Sequence, residues 1–366
     1  MSLLLPTPKE SDSKIQLILS EFWKGSRPVY VFGCNVYTEA IVRQFSIVGI
    51  VVDNPTQESF FGIPVCTLQE VPKNAVVIVA SGGSPFSAID RVESYGLDTC
   101  HYFDLLRHFP NTLKPVVFNE SFNEAFIRNS EKFEWLYGCL ADEISKNTYQ
   151  KIINFRRSIN LEYLRGFKNL EKNQYFEDFF RFNSVGEVFV DIGCFDGYTS
   201  IQFIARCPNY RSVYAFEPDP TNFQICQNNL GPYSNIFLRQ FGVGGTREAL
   251  RFSSAGSASS LSLAGELTIQ LERLDILVEE VPTFIKMDIE GGELSALRGA
   301  KKLITTHLPR LAICVYHRPD DFWAVPELIL GWGCQYDLFL RHYTESIYET
   351  VMYFIPKKGQ TTSPTP

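Results

Sequence analysis

The 366-residue chain reads as an α/β protein with two parallel-sheet domains, and three observations predict this. Short β-branched runs alternate with stretches of helical spacing, which is the pattern of βαβ units. The length suffices for two domains, each with its own core. Three apolar runs in the C-terminal half each end in carboxylates, at the edge where a doubly wound sheet keeps its ligand.

Residues 1–118 form the first domain, Rossmann-like in pattern. Val29–Gly33 is a strand entering a turn, and Tyr37–Phe45 has helical spacing. Val48–Asp53 is a second strand, and Ala75–Ala80 a third that ends in Ser81-Gly82-Gly83-Ser84. Asp53 follows Gly33 at the separation a dinucleotide fold uses for its ribose-binding acid. The turn, however, carries one glycine where that fold has three, and Tyr37 blocks the close backbone approach a pyrophosphate requires. Two readings stay open: a bound nucleotide or nucleotide-sugar, or a structural or substrate-presenting domain.

Residues 119–184 are rich in charged and aromatic residues and read as a helical connector, with helices over Glu131–Ile144 and Thr148–Phe155. Tyr175 and Phe176 close it. They read either as aromatic packing at a domain junction or as a lid.

The second domain spans 185–357. Strands are expected at Val188–Ile192, Val213–Phe216, Ile236–Gln240, Phe284–Met287, Leu311–Val315, Tyr336–Leu340 and Thr350–Phe354. No long helical stretch separates the last two, so they pair antiparallel. The small polar run Ser253–Ser260 is a loop over the site, and 358–366 is a disordered tail.

Composition excludes several classes. A net charge of -7 argues against nucleic acid, whose phosphates need a basic surface. No apolar run approaches the roughly 18 residues of a membrane span. The N-terminus lacks the features of a secretory signal. Nine cysteines without a Cys-x-x-Cys pair read as free thiols in a reducing cytoplasm and not as a metal site.

The chemistry lies in the three acid-tipped runs. In the first, Asp191 ends a strand, Gly193 allows a sharp turn, Asp196 lies in the loop and Gly197 lets the next helix approach. A pyrophosphate there would meet two carboxylates. A unit-charge pair about 4 Å apart is worth on the order of 4 kcal/mol at an effective dielectric near 20, so the sign decides. It favours the ammonium and sulfonium of S-adenosylmethionine over NAD. Glu217 ends the second run, about 20 residues on, where an acid accepts both hydroxyls of a ribose. Asp219 either joins it or caps the following helix.

In the third run, Lys286, Asp288 and Glu290 alternate with Ile285, Met287 and Ile289, which puts the three polar groups on one face. Gly291-Gly292 then turns into a helix whose apolar face is Leu294, Leu297, Ala300 and Ile304. Glu293 suits that helix's first turn. Lys286 reads either as half of a structural ion pair or as a group that acidifies a hydroxyl. His317 follows the strand Leu311–Val315 at the same sheet edge. It is the first candidate for a general base, with Asp288 or Glu290 as alternatives and a structural histidine also open. His342 is a weaker candidate, and Tyr316 lines the substrate pocket.

On the strings Val190-Asp-Ile-Gly193-Cys-Phe-Asp-Gly197, Ala215-Phe-Glu-Pro-Asp-Pro220 and Ile285-Lys-Met-Asp-Ile-Glu-Gly-Gly-Glu293, the sequence resembles the FkbM family of S-adenosylmethionine-dependent methyltransferases over roughly 185–357. The later Cys314–Pro319 and Leu340–Glu345 resemble members with an N-terminal Rossmann-like domain. Gly292 stands where relatives often have alanine. The resemblance implies a seven-stranded class I methyltransferase fold. It also implies cofactor contacts from Asp191, Gly193, Asp196 and Glu217, and a functional role for Asp288 and Glu290. The implied reaction is O-methylation of a hydroxyl on a sugar, polysaccharide precursor or other small metabolite.

The sequence-based expectation is therefore an O-methyltransferase with S-adenosylmethionine as cofactor. Its catalytic group is His317, Asp288, Glu290 and Lys286, and its cofactor group is Asp191, Gly193, Asp196, Gly197, Glu217, Asp219 and Asp288. The partner is a small-molecule or sugar acceptor, with self-association left open. The rivals are an NAD-linked oxidoreductase and a nucleotide- or nucleotide-sugar-binding protein with a non-catalytic methyltransferase fold.

Overall fold

The computed structural model describes residues 13–253, 260–261 and 267–357. Its N-terminal sheet contains β1 (Val29–Phe32), β2 (Gly49–Val51), β3 (Ser59–Phe60), β4 (Ile63–Cys66), β5 (Val76–Val79) and β6 (Asp98–His101), in the order β3-β4-β2-β1-β5-β6. Every neighbouring pair is parallel except β3 with β4. All four β5 residues are buried, as a strand covered on both faces requires. The strand order reverses between β1 and β5, so the loops after these two strands lie side by side. In the first loop Asn35 caps the helix Val36–Val42, and Tyr37 is buried in the core.

The C-terminal half adds β7 (Val188–Ile192), β8 (Ser212–Phe216), β9 (Ile236–Arg239), β10 (Gly242–Val243), β11 (Glu248–Ser253), β12 (Ser260–Leu261), β13 (Leu267–Glu272), β14 (Phe284–Met287), β15 (Arg310–Cys314), β16 (Tyr336–His342) and β17 (Thr350–Pro356). Seven of these form one sheet, in the order β16-β17-β15-β14-β7-β8-β9. Only β17 runs antiparallel to its neighbours. The order reverses between β7 and β14, so the loops after them flank a crevice. The remaining strands build a small sheet, β10-β13-β11-β12, which the sequence reading did not anticipate. Residues 254–259 of the expected polar loop and the tail 358–366 lie outside the described residues.

Residues 119–184 differ from expectation. The helices are Phe122–Arg128, Ser130–Cys139 and Glu143–Ser158. Helical spacing runs on through Leu140–Asp142, but tertiary pairing wins there. Leu140 bridges to Leu338 of β16, the Ala141 N–H donates to the Leu338 carbonyl at 2.8 Å, and Asp142 caps the next helix. Arg341 of β16 then pairs with Asp142 at 2.7 Å. The segment is thereby stitched to the edge of the second sheet. Among the described residues no helix is long and apolar enough to cross a membrane, and all nine cysteines are free.

Candidate active site

A cavity of about 550 Å³ opens where the strand order of the second sheet reverses. Its walls are the loops after β7, β8 and β14, the small sheet, and residues from either side of the domain. Gly193 enters it at φ +75, and a Cβ at this position would lie 2.0 Å from the Asp288 carbonyl oxygen. Only glycine lets the loops after β7 and β14 touch. Gly197, at φ +86, packs against Cys226 and Leu230 and starts the helix Tyr198–Arg206.

Asp191 is placed differently from the expected cofactor contact. It is fully buried behind the cavity wall, accepts from the Ser200 hydroxyl at 2.8 Å and lies 3.2 Å from Lys286 Nζ. Lys286 also donates to the Gly193 carbonyl at 2.6 Å. Burial alone would lower the pKa of this ammonium, but Asp191 and Asp288 hold it above the ordinary lysine value. Of the two readings for Lys286, the geometry therefore gives the buried ion pair, with the side chain bracing the cofactor loop.

Glu217 faces the cavity with 6% exposure. Its two oxygens accept from the backbone N–H groups of Phe195 and Asp219, at 3.0 and 2.9 Å. Burial pushes its pKa up to about 7, against those two bonds. Asp219 takes the capping part of the two left open: its carboxylate accepts from Thr221 and Asn222 and is absent from the cavity wall. Asp196 lines the cavity and accepts from the Tyr198 N–H at 2.9 Å.

At the other end, His317 sits among carboxylates. Its Nδ1 is 2.9 Å from Glu293, while Nε2 is 3.4 Å from Asp288 and 3.5 Å from Glu290. Burial alone would lower the histidine pKa, but Glu293, Asp288 and Glu290 together raise it to about 10. This corrects the expected role of His317. The residue is closed off behind Asp288 and Glu290 and is absent from the cavity wall, and the three carboxylates around it favour the protonated ring, which has no lone pair to act as the expected base. Glu290 has its backbone at φ +56, a strained conformation for a non-glycine residue. Burial pushes its pKa up to about 8, with His317 opposing and the other carboxylates reinforcing. Asp288 accepts from the Tyr175 hydroxyl at 3.0 Å. His342 is elsewhere: it is buried against Phe167 and bonded to Thr350, and burial lowers its pKa to about 3.

Three contributors escaped the sequence reading. Glu349, at φ +60, lines the cavity and accepts from the Tyr316 hydroxyl at 3.2 Å. Burial pushes its pKa up to about 7. The Gln174 amide donates to Glu349 and, at 2.8 Å, to the Tyr175 hydroxyl. The Glu293–His317 link is the third. Antiparallel pairing of β16 with β17 was the available signal for Glu349, since it puts the start of β17 at the ligand edge. Tyr175 lines the cavity wall, and Phe176 packs on Phe182 and Phe284.

Asp288, Glu293 and His317 offer ligand-type atoms within 4.8 Å of one another, as do Asp288, Cys314 and Glu349. In the first group Glu293 engages the Nδ1 atom of His317. In the N-terminal domain, Asp53 pairs with Arg91 at 2.8 Å.

Comparison with known proteins places this geometry. Residues 191–354 match the family described as "Methyltransferase FkbM domain". The 2-O-methyltransferase NoeI of Sinorhizobium fredii is 25% identical over 144 residues, 32% of this chain and 59% of that protein. The hexuronic acid methyltransferase AglP of Haloferax volcanii is 30% identical over 102 residues, 25% of this chain and 43% of that protein. The matches thus span about half the length of these curated relatives. A crystal structure of methyltransferase FkbM from Methylobacillus flagellatus superposes with a TM-score of 0.74 at 23% identity, covering 94% of this chain and 93% of that one, which establishes a shared fold. The chain carries, over residues 191–354, an FkbM methyltransferase domain.

Proposed function

We propose that the protein is an S-adenosylmethionine-dependent O-methyltransferase acting on a hydroxyl of a sugar or polysaccharide precursor. The carrying observation is one cavity lined by Glu217, Asp288 and Glu290, with His317 buried behind the last two. The names of two relatives, a 2-O-methyltransferase and a hexuronic acid methyltransferase, support this acceptor class. Nine free thiols suit a cytoplasmic setting.

The cavity fits a cationic cofactor. Asp196, Glu217, Asp288, Glu290 and Glu349 line it. The lysine among them, Lys286, is already paired with Asp191. When bound, S-adenosylmethionine supplies a methyl carbon already activated by its sulfonium.

The chain's residues do the rest. Each Glu217 oxygen keeps a free lone pair after its backbone bond and accepts from a ribose hydroxyl. Gly193 lets the loops after β7 and β14 meet at the cavity wall. Tyr175 and Tyr316 exclude water and hold Asp288 and Glu349 in place. Alignment of this kind can supply several kcal/mol (about 7–11 at best). Glu290, which lines the cavity, takes the acceptor proton on its carboxylate. A base of this kind contributes roughly 10²–10⁴-fold.

The test has two parts. S-adenosylhomocysteine is titrated by calorimetry, and methyl transfer is then assayed against a panel of sugars and nucleotide-sugars, with products identified by mass spectrometry. Binding followed by a gain of one methyl mass on a sugar is the expected result. Absence of binding would end this reading.

A further inference from the structure

The edge of the N-terminal sheet where strand order reverses is where an α/β domain usually takes a ligand. Here the chain itself occupies that edge. The helix Pro85–Ser94 begins there, after β5, and its first turn holds the carboxylate of Glu345. The Ser87 N–H donates to one Glu345 oxygen at 2.8 Å, and the Ser87 hydroxyl donates to the other. Asn169 completes the joint: its amide donates to the Ser84 hydroxyl at 2.7 Å, and its carbonyl accepts from the Glu345 N–H at 3.0 Å.

A second grip lies on the same edge. The Tyr37 hydroxyl lies 3.5 Å from that of Tyr348 and accepts from the Val117 N–H at 3.1 Å. Gly82 leaves room for this pair, since a Cβ there would be 3.1 Å from the Tyr37 ring and 3.4 Å from the Tyr348 hydroxyl.

Both grips hold the loop between β16 and β17. The inner side of that loop ends in Glu349, which is left-handed in backbone and bonded to Tyr316 and Gln174 inside the cavity. A non-glycine residue keeps such a conformation only where its surroundings over-determine it. The first turn of the helix Pro85–Ser94, which holds the Glu345 carboxylate, and Tyr37, which meets Tyr348, supply that determination from outside the methyltransferase domain.

We propose that the N-terminal domain is the seat of this loop. Its ligand edge fixes 343–349, and through them Glu349, at the acceptor end of the methyl-transfer cavity. Glu345 and Ser87 are positioning residues, acting on the site through Glu349. The acceptor part of this inference rests on the methyltransferase reading, whereas the loop part does not.

Hydrogen–deuterium exchange of the full chain reads the loop directly. Glu345→Gln and Ser87→Ala should each raise exchange of amides 343–350 about tenfold, with Ser87→Thr close to the native rate. Calorimetric affinity for S-adenosylhomocysteine should stay within about twofold. With a sugar acceptor from the panel above, KM for that acceptor should rise about fivefold or more at unchanged KM for the cofactor. Native exchange at 343–350 in both variants would overturn the proposal. So would a rise spread across the whole chain with loss of cofactor affinity, or NADH binding to the wild-type chain with protection of 81–87. Exchange needs no methyl transfer, so failure of the methyltransferase reading is seen separately.

Discussion

The Nδ1 atom of His317 lies 2.9 Å from Glu293, and both side chains are closed off from solvent. The contact sets the electrostatics behind the Asp288–Glu290 wall of the cavity. Glu293 holds one nitrogen while Asp288 and Glu290 face the other, and together they raise the pKa of the ring against the effect of burial. The arrangement favours a cation beside Glu290.

Replacing Glu293 with Gln tests this assignment. The His317 pKa should fall by about 1–2 units when the nearest carboxylate loses its charge. Carbon-13 NMR of labelled histidine should show no His317 titration between pH 6 and 8 in the wild type, and a shifted midpoint in the variant. The sign for stability follows. His317 titrates higher folded than unfolded, so its contribution is complete below pH 6.5 and is lost as pH rises through about 10. In the variant that loss should begin at lower pH.

Glu290 behaves with the same sign for the opposite reason. Its folded pKa of about 8 lies above the ordinary 4.5, so burial of its charge weakens the fold progressively between those values. Glu290→Gln should therefore melt about 2–4 °C above the wild type at pH 8.5 and show no gain at pH 4.5. The same change should cost roughly 10²–10⁴ in turnover and abolish the rise of rate with pH near 8. A stable variant with wild-type turnover would remove Glu290 from the chemistry.

How far the sequence revealed this site depends on where each residue gets its partners. β7, β8 and β14 are buried on both faces, and such strands read as continuous apolar runs whose ends are easy to place. Gly193, Glu217, Asp288 and Glu290 follow from those ends. Asp191 sits on the same strand, but its side chain lies behind the wall, and spacing alone does not distinguish the two faces at a strand end. The charge state of His317 depends on Glu293, 24 positions away, which only the fold brings near. Glu349, Gln174 and the grip of Glu345 on Ser87 are long-range as well, and the strands of the small sheet are short and mixed in composition. Local pattern carries no signal for such pairs.

The Lys286–Asp191 pair predicts a non-additive result. Lys286→Met leaves Asp191 as a buried charge without its cation and should cost about 3–5 kcal/mol. The double variant Asp191→Asn, Lys286→Met should recover more than half of that loss, since both charges are then gone. Urea unfolding of the four proteins measures the coupling. If the double variant were as unstable as the sum of the single ones, the pair would not be the brace described here.

Gly193→Ala separates backbone strain from steric conflict. At Gly25 (φ +62) no atom lies within 4 Å of an added Cβ, so Gly25→Ala should cost only the left-handed strain of about 1–2 kcal/mol. Gly193 has a similar φ of +75, but its Cβ would lie 2.0 Å from the Asp288 carbonyl oxygen. That overlap is relieved only if the loops after β7 and β14 move apart, which displaces Asp196 and Asp288 together. Gly193→Ala should therefore be clearly less stable than Gly25→Ala. It should also weaken S-adenosylhomocysteine binding by about 100-fold or more, with Gly25→Ala binding as the wild type does. Equal affinity in the two variants, measured by calorimetry, would mean that the contact between these loops does not shape the cofactor site.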